Sequence, residues 1–364
     1  MAAFLDAHRG AARNAAFFRP VRNAVSAGQL RGFAFGRGSY PGHRLRAGHL
    51  PGLNVVGFWD SPGTQPWGIC PHQNDGIELM YQESGSAAFF VAGQPCQLKP
   101  GDIAFTRPWQ QHQVGDPHVE AGRIHFLVLD LAARRPHQAW RWPSWIVLTP
   151  KDLRQLTEFL RHNEQPVWHA TAEIGHSFRH IGAAVESDYQ GNSLSLSHLA
   201  VYLNRLFLAV LEMFRGRAVP LDQSLSASRR TVEIFWAELR SNHESLAREW
   251  SVANMAKRCS MGVTNFIQHS RQLTNMTPCQ YLNHCRLSLA SEILRNDPQV
   301  TVTDVALTCG YATSQYFATL FHRHFGVSPR VFRRQRHFGK GNHATRDQRA
   351  GRRKRKADNG EGKG

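Results

Sequence analysis

Two glutamines lie close to two phenylalanines in the last third of this chain: Gln268 two residues after Phe266, and Gln315 two residues before Phe317. A glutamine amide offers a donor beside an acceptor, which matches the major-groove edge of adenine. Thr264, Asn265 and Arg271 accompany the first pair, and Ser314, Thr319 and His322 the second. Hydroxyl, amide, imidazole and guanidinium groups of this kind hydrogen-bond base edges or phosphate oxygens. The chain as a whole suits a polyanion. Its 44 Lys+Arg against 27 Asp+Glu give a formal net charge of +17, which favours nucleic acid first and an anionic membrane second. No apolar run approaches the ~18 residues that span a bilayer, so no membrane partner is expected. Enzyme signatures are missing: there is no Gly-x-Ser-x-Gly, no phosphate-binding Gly-Lys-Ser/Thr and no His-Glu-x-x-His.

The elements that must position these side chains form an internal repeat. Met255-Ala256 and Val305-Ala306 are 50 residues apart, and Phe266 and Phe317 are 51 apart. Thr277-Pro278-x-x-Tyr281 matches Ser328-Pro329-x-x-Phe332, again at 51. Each copy reads as a helix-turn-helix. Ser251 and Thr303 are the expected N-caps of the first helices. Ala256 and Ala306 allow close packing, and turns follow at Cys259-Ser260-Met261 and Cys309-Gly310-Tyr311. Gly310 suits a positive φ there better than Ser260 does. Second helices are expected over roughly Val263 to Leu273 and Ser314 to Phe325, with Phe266 and Phe317 inward and the polar residues outward. Such helices fit the major groove. The blander alternative is a purely structural or dimerising helical domain.

Asp304-Val305-Ala306-Leu307-Thr308-Cys309-Gly310-Tyr311, then Tyr316-Phe317-Ala318-Thr319-Leu320-Phe321 and His324-Phe325-Gly326-Val327-Ser328-Pro329, resemble the signature of the AraC/XylS family of regulators. Arg286, Ala290 and Leu294 match the helix that joins the family's two motifs. The resemblance covers about a third of the chain. It implies sequence-specific binding to double-stranded DNA, with the two second helices in successive major grooves about one turn, ~34 Å, apart. The first copy departs from the pattern at Gln268, where the family tends to have Arg, at Ser270, where it has an aromatic, and at Asn275, where it has Gly. That implies looser packing of the first motif and a base preference of its own.

Upstream, from Gly36 to about Leu131, short apolar runs such as Ala88-Phe89-Phe90-Val91 and Ile124 to Leu129 alternate with Gly/Pro turns, the pattern of an all-β unit. His72-Gln73-Asn74, Glu78, Gly85, Leu98-x-Pro100-Gly101-Asp102, Pro108 and His112 resemble the small cupin-like barrel that such regulators often carry. Metal-binding cupins resemble it at His72, Glu78 and His112, but Asn74 replaces their second histidine. The alternatives are two imidazoles and a carboxylate around one ion, or polar groups hydrogen-bonded in the barrel mouth. No metal or other cofactor is assigned. Trp59, Trp67 and Trp109 could line a cavity for one small molecule, or be ordinary core aromatics.

The chain is therefore expected to be an α+β multidomain protein: a flexible extension (1–35), a cupin-like ligand-sensing β-barrel (36–148), a helical linker or dimerisation region (149–216), a linker (217–227), an all-α DNA-binding domain with two helix-turn-helix motifs (228–337) and a disordered basic tail (338–364). Leu199, Leu203, Leu206, Val210 and Met213 step four, three, four, three, which fits either a short homodimeric coiled coil or a core helix. Six cysteines without a Cys-x-x-Cys pair fit a reducing cytoplasm. The function this implies is a ligand-responsive transcription regulator, with a small-molecule effector, a second copy and, for an activator, RNA polymerase as partners. The rival is a metal-dependent cupin dioxygenase or isomerase fused to a DNA-binding domain.

Overall fold

The computed structural model describes residues 17–38, 40–46, 48–191 and 196–339. The basic run Arg352 to Lys356 lies outside them. The chain forms two compact units, one running to Phe235 together with Arg258–Ser260, the other comprising Trp236–Lys257 and Met261 onward.

The first unit is built on two sheets. One has seven strands in the order β11-β8-β5-β10-β3-β1-β2, the other four in the order β4-β9-β6-β7. Their ranges are β1 Arg31–Gly36, β2 His43–Arg44, β3 Leu53–Ser61, β4 Ile69–His72, β5 Ile77–Gly85, β6 Ala87–Val91, β7 Gln94–Leu98, β8 Asp102–Thr106, β9 His112–Val114, β10 Gly122–Leu129 and β11 Val167–His169. All pairings are antiparallel except β1 with β2. The sheets do not close into one hydrogen-bonded barrel, which corrects the expected closed architecture while keeping its cupin-like layout. The β6–β7 connection is a two-residue turn whose Ala92 and Gly93 both have positive φ, 51° and 80°, the geometry that matches strand twist.

Because side chains alternate along a strand, β3, β5 and β10 bury both faces. Trp59, Met80 and Ile124 join Ile69, Phe89 and Val114 between the sheets. Val56, Leu79 and Leu127 point the other way, into a second core with three helices. These are α2 (Pro150–His162), α3 (Ala172–Tyr189) and α4 (Leu196–Arg215). Thr149 and Thr171 cap α2 and α3, accepting hydrogen bonds from the amides of Asp152 and Ile174. Gly182 lets α3 lie flat on the sheet, since a Cβ there would sit 3.0 Å from the His125 ring and 3.1 Å from Phe58.

Three boundary expectations need correction, and one of two alternatives is decided. Residues 17–35 are not a loose extension: α1 (Arg19–Ser26) buries Val21 and Ala24, and β1 pairs with β3. Residues 149–216 are not wholly helical, because β11 completes the large sheet beside β8. The presumed linker carries a 3-10 turn, Gln223–Ser226, with Leu225 buried and the Asp222 amide bonded to the carbonyl of His162. Finally, Leu199, Leu203, Leu206, Val210 and Met213 are all 0–2 % exposed within the single chain. Their stripe packs on α3 and the sheet, so it is a core face and not a dimer seam. α4 is also the one described helix long and apolar enough to cross a membrane, and that apolarity is used in this core.

The second unit is all-helical: the end of α5 (Ser228–Ser241), α6 (His243–Ala247), α7 (Val252–Arg258), α8 (Val263–Thr274), α9 (Pro278–Asn296), α10 (Val302–Thr308), α11 (Ser314–Phe325) and α12 (Pro329–Gly339). Ser251 caps α7 by accepting from the Asn254 amide at 3.1 Å. The cap of α10 is Thr301, not Thr303. It accepts from the Asp304 amide at 3.0 Å. An N-cap stands four residues before the first buried position, and Ser251 to Met255 and Thr301 to Val305 keep that interval.

Leu206 is fully buried, so Leu206→Ala should cost ~2–5 kcal/mol, read as an earlier urea midpoint of the first unit. Leu206→Asp should leave that unit unfolded. A soluble, folded Leu206→Asp protein of halved mass would instead restore the dimer-seam reading.

Candidate DNA interface and ligand cavity

The two motifs hold their second helices by the same device. Phe266 in α8 and Phe317 in α11 are fully buried, and each pins one face of its helix. α8 ends on Asn275 and α11 on Gly326, both left-handed, with φ 56° and 74°. Asn tolerates that conformation better than other side chains, so the departure at Asn275 preserves the helix stop. The departure at Ser270 is compensated too. Phe321, the matching residue of the second motif, packs against Phe317, Phe325 and Phe332. In the first motif the aromatic mass comes from Trp236 of α5. Its indole N–H donates to Ser270 Oγ at 3.3 Å, and its ring lies 5.9 Å from Phe266 and 4.9 Å from Tyr281. The expected looseness of the first motif is absent.

Between the motifs sits Arg286 of α9. Nε and Nη2 donate to the carbonyls of Leu246 and Arg248 at 3.0 and 2.6 Å, and the guanidinium lies 5.8 Å from the Tyr311 ring. Burial lowers its pKa from the ordinary arginine value. It tethers the joining helix to α6 and to the turn of the second motif. Gly310 makes that turn possible: φ is +81°, and a Cβ would lie 2.3 Å from the carbonyl oxygen of Ala247. Ser260, the corresponding residue, also has positive φ, 54°.

With the helices fixed, Thr264, Asn265, Gln268 and Arg271 are exposed along α8, and Gln315, Thr319 and His322 along α11. Ser314 is half-buried at the start of α11. Sequence reasoning passed over Val263 and Tyr316, large apolar side chains 43 % and 56 % exposed on the first turns of these helices. Their signal was an apolar residue at a position where packing leaves no room for it.

In the first unit, a small cavity lies between the two sheets. β3 contributes Val55 and Trp59, β5 Glu78 and Met80, β10 Ile124, Phe126 and Val128, and the smaller sheet Ile69, His72 and Val114. Phe18 and Val21 of the α1 region and Tyr40 and Pro41 complete the wall. Of the expected ligand residues, Trp59, His72 and Glu78 face this space. His112 lies behind Glu78, with Nε2 2.7 Å from Oε2. Trp67 packs beside the apolar core, and Trp109 is buried 6.5 Å from Trp140. Neither lines the cavity. Tyr40 and Phe18 were missed, the latter because it lies in the segment read as an extension.

Asn74 organises the polar end. Its Nδ2 donates to Glu78 Oε2 at 3.0 Å, while its Oδ1 accepts from Tyr40 Oη at 3.0 Å. Thr106 Oγ1 also donates to Glu78 Oε2. Burial pushes the Glu78 pKa upward, but the adjoining His112, His72 and Asn74 outweigh it and hold the carboxyl below its usual value. His72 moves down to about 3, through burial first and His112 second. Burial therefore favours the neutral ring. Among the described residues no group of three or more His, Cys, Asp or Glu is arranged to hold a metal ion. Asn74 lies beside Glu78 and His112, its Nδ2 within hydrogen-bond distance of both.

The repeated helix-turn-helix, and a separate β unit enclosing a cavity, define a DNA-binding transcription regulator with a ligand-binding domain. Comparison with known proteins agrees. Residues 255–335 match a helix-turn-helix domain model, and residues 63–203 match the AraC-like ligand binding domain. Both matches, and the relatives below, support an AraC/XylS family regulator. It is 27 % identical over 265 residues to the HTH-type transcriptional activator RhaS of Shigella boydii serotype 18, a span of 73 % of this chain and 87 % of that one. RhaS of Klebsiella pneumoniae strain 342 is 27 % identical over 266 residues with the same coverage. Among solved structures it resembles the DNA-binding domain of AdpA in complex with a target DNA (27 % identity, 29 % of this chain, 91 % of that one, TM-score 0.27). It also resembles ToxT of Vibrio cholerae O395 (12 % identity, 78 % and 97 %, TM-score 0.29). The relatives are named regulators, and the comparisons lend no support to the rival reading as a cupin dioxygenase or isomerase.

Replacing Gly310 with alanine forces a side chain into left-handed backbone, at ~1–2 kcal/mol, and against the Ala247 carbonyl besides. Gly310→Ala should therefore lower the melting temperature of the second unit and weaken DNA binding. An unchanged melt would show that the turn is not the constraint described.

Proposed function

We propose that this protein is a cytoplasmic, effector-controlled regulator that reads a bipartite DNA site through α8 and α11. The observation that carries the reading is the repeated geometry: two helices, each pinned by a fully buried phenylalanine and left with an exposed polar face. Gln268 and Gln315 are assigned to base edges, with Thr264, Asn265, Ser314, Thr319 and His322 alongside. Arg271 is assigned to phosphate. Val263 and Tyr316 extend the reading to thymine methyl groups, which take apolar contacts in the major groove. The RhaS relatives are named activators, which supports activation, with RNA polymerase as a further partner. The cavity between the sheets is the effector site.

The test is a randomised-site selection with the full chain. It should return two short elements about one helical turn apart. Gln268→Ala and Gln315→Ala should each relax one base position, by ~1–3 kcal/mol of discrimination. Unaltered preference in both variants would remove the glutamines from the interface. Arg271→Ala should weaken all sequences alike.

Homodimer formation is assigned to the outward face of α4, now that its inward stripe is accounted for. Val201 and Leu208, 60 % and 45 % exposed, are seven residues apart on one stripe, with Arg205 between them paired to Glu173. A Val201→Glu/Leu208→Glu double variant should sediment as a folded monomer where the parent sediments as a dimer. A monomeric parent at tens of micromolar would end this assignment.

A further inference from the structure

The polar end of the cavity has a definite hydrogen-bonding sense. Three groups reach it: Tyr40, His72 and Glu78. Tyr40 is used up, since its hydroxyl donates to Asn74 Oδ1 and accepts from the Asp75 amide at 3.3 Å. His72 Nδ1 lies 2.9 Å from the carbonyl oxygen of Cys70. Only a donor makes that contact, so Nδ1 carries the hydrogen, and Nε2 of the neutral ring is left as a lone pair. Glu78 takes its three contacts, from Asn74, Thr106 and His112, on Oε2 alone. Among the described residues Oε1 has no partner. Among the described residues, two acceptors therefore remain at this end, and no donor.

The rest of the wall is apolar or aromatic. The Phe18 ring lies 5.8 Å from Tyr40 and 5.7 Å from His72, which places aromatic rings beside the acceptors. Trp59 closes the opposite end. It is four residues along β3 from Val55, which is joined through Val128 of β10 to Glu78, a distance of ~13 Å at strand rise.

We infer that the effector is a compact apolar amine, its N–H donors directed at Glu78 Oε1 and His72 Nε2 and its hydrocarbon body lying toward Trp59. A protonated amine satisfies both acceptors at once and gains from aromatic rings around it. A carboxylate would set a second anion against Glu78 with no donor to receive it. A polyol would leave most of its hydroxyls against apolar walls without partners. The inference rests on the reading of this cavity as the effector site and adds its chemical class.

The test is calorimetry on the full-length protein with three isosteric probes, benzylamine, benzyl alcohol and benzoate, and with L-rhamnose as a polyol. Benzylamine should bind at least about tenfold more tightly than benzyl alcohol, the scale of a charge-assisted hydrogen bond, and benzoate and rhamnose should not bind measurably. Glu78→Gln, nearly isosteric, should remove that tenfold preference. Val128→Trp, which fills the cavity, should abolish binding. Tighter binding of benzoate or rhamnose that is lost in Val128→Trp would overturn the amine while leaving the effector site in place. Binding of benzylamine that survives in Val128→Trp, or no binding by any probe at millimolar concentration, would overturn the amine as well. In that case, unchanged effector control of a reporter by Val128→Trp would take the effector site down with it.

Discussion

Everything in the DNA-reading half depends on how the joining helix is held, and Arg286 holds it. A guanidinium has donors in a fixed fork, and here the fork closes on the carbonyls of Leu246 and Arg248 while its face meets Tyr311. Those carbonyls belong to the end of α6 and the residue after it. Without Arg286 the buried carbonyl of Leu246 would lose this partner, at a cost of about 1–3 kcal/mol. The same segment is where Gly310 makes its closest approach. One short stretch of backbone therefore fixes α9 and the turn of the second motif. Two recognition helices on a common support can address one DNA face only if that support does not give.

The first unit answers a different constraint. A sheet strand has two faces, and in β3, β5 and β10 both are buried, one toward the cavity and one toward the helices. Such strands must be apolar on every residue or pair their polar groups. They do both. His125, with 1 % exposure, meets Glu83 at 2.7 Å on the helix side, and Glu78 is clasped by Asn74, Thr106 and His112 on the cavity side.

Sequence legibility followed the strength of local signals. The repeat was plain because Phe266, Phe317, the alanines and the caps recur at fixed offsets. Even so, the cap of α10 was placed two residues late, since Thr301 and Thr303 are chemically alike and only register separates them. Trp236 supplying the aromatic absent at Ser270 could not be read, because that contact joins residues 34 apart on different helices. The α4 stripe was legible as apolar and periodic, but periodicity does not say whether its partner is the same chain or another. α1 and β1 were hidden by an Arg- and Ala-rich composition that resembles an unstructured leader. In the cavity, His72, Glu78 and Trp59 were found by type. Asn74 was read as a poor metal ligand, and its hydrogen bonds to Glu78 and Tyr40 were not foreseen.

The doubly buried strands also bear on how an effector could act. Trp59 and Phe58 are neighbours in β3, as are Met80 and Tyr81 in β5 and Ile124 and His125 in β10. The first of each pair faces the cavity. Each second residue faces α3, where Phe178 stacks on Tyr81 and Gly182 lies against Phe58 and His125. Close-packed interiors transmit displacement poorly by bending and well by switching between discrete packings. A ligand that moves Trp59 or Met80 must shift a strand whose next residue is wedged under α3. α3 in turn packs on α4, the helix whose outer face carries Val201 and Leu208. A single layer of strands thus separates the cavity from the helices to which self-association is assigned, and no longer path is needed to couple them.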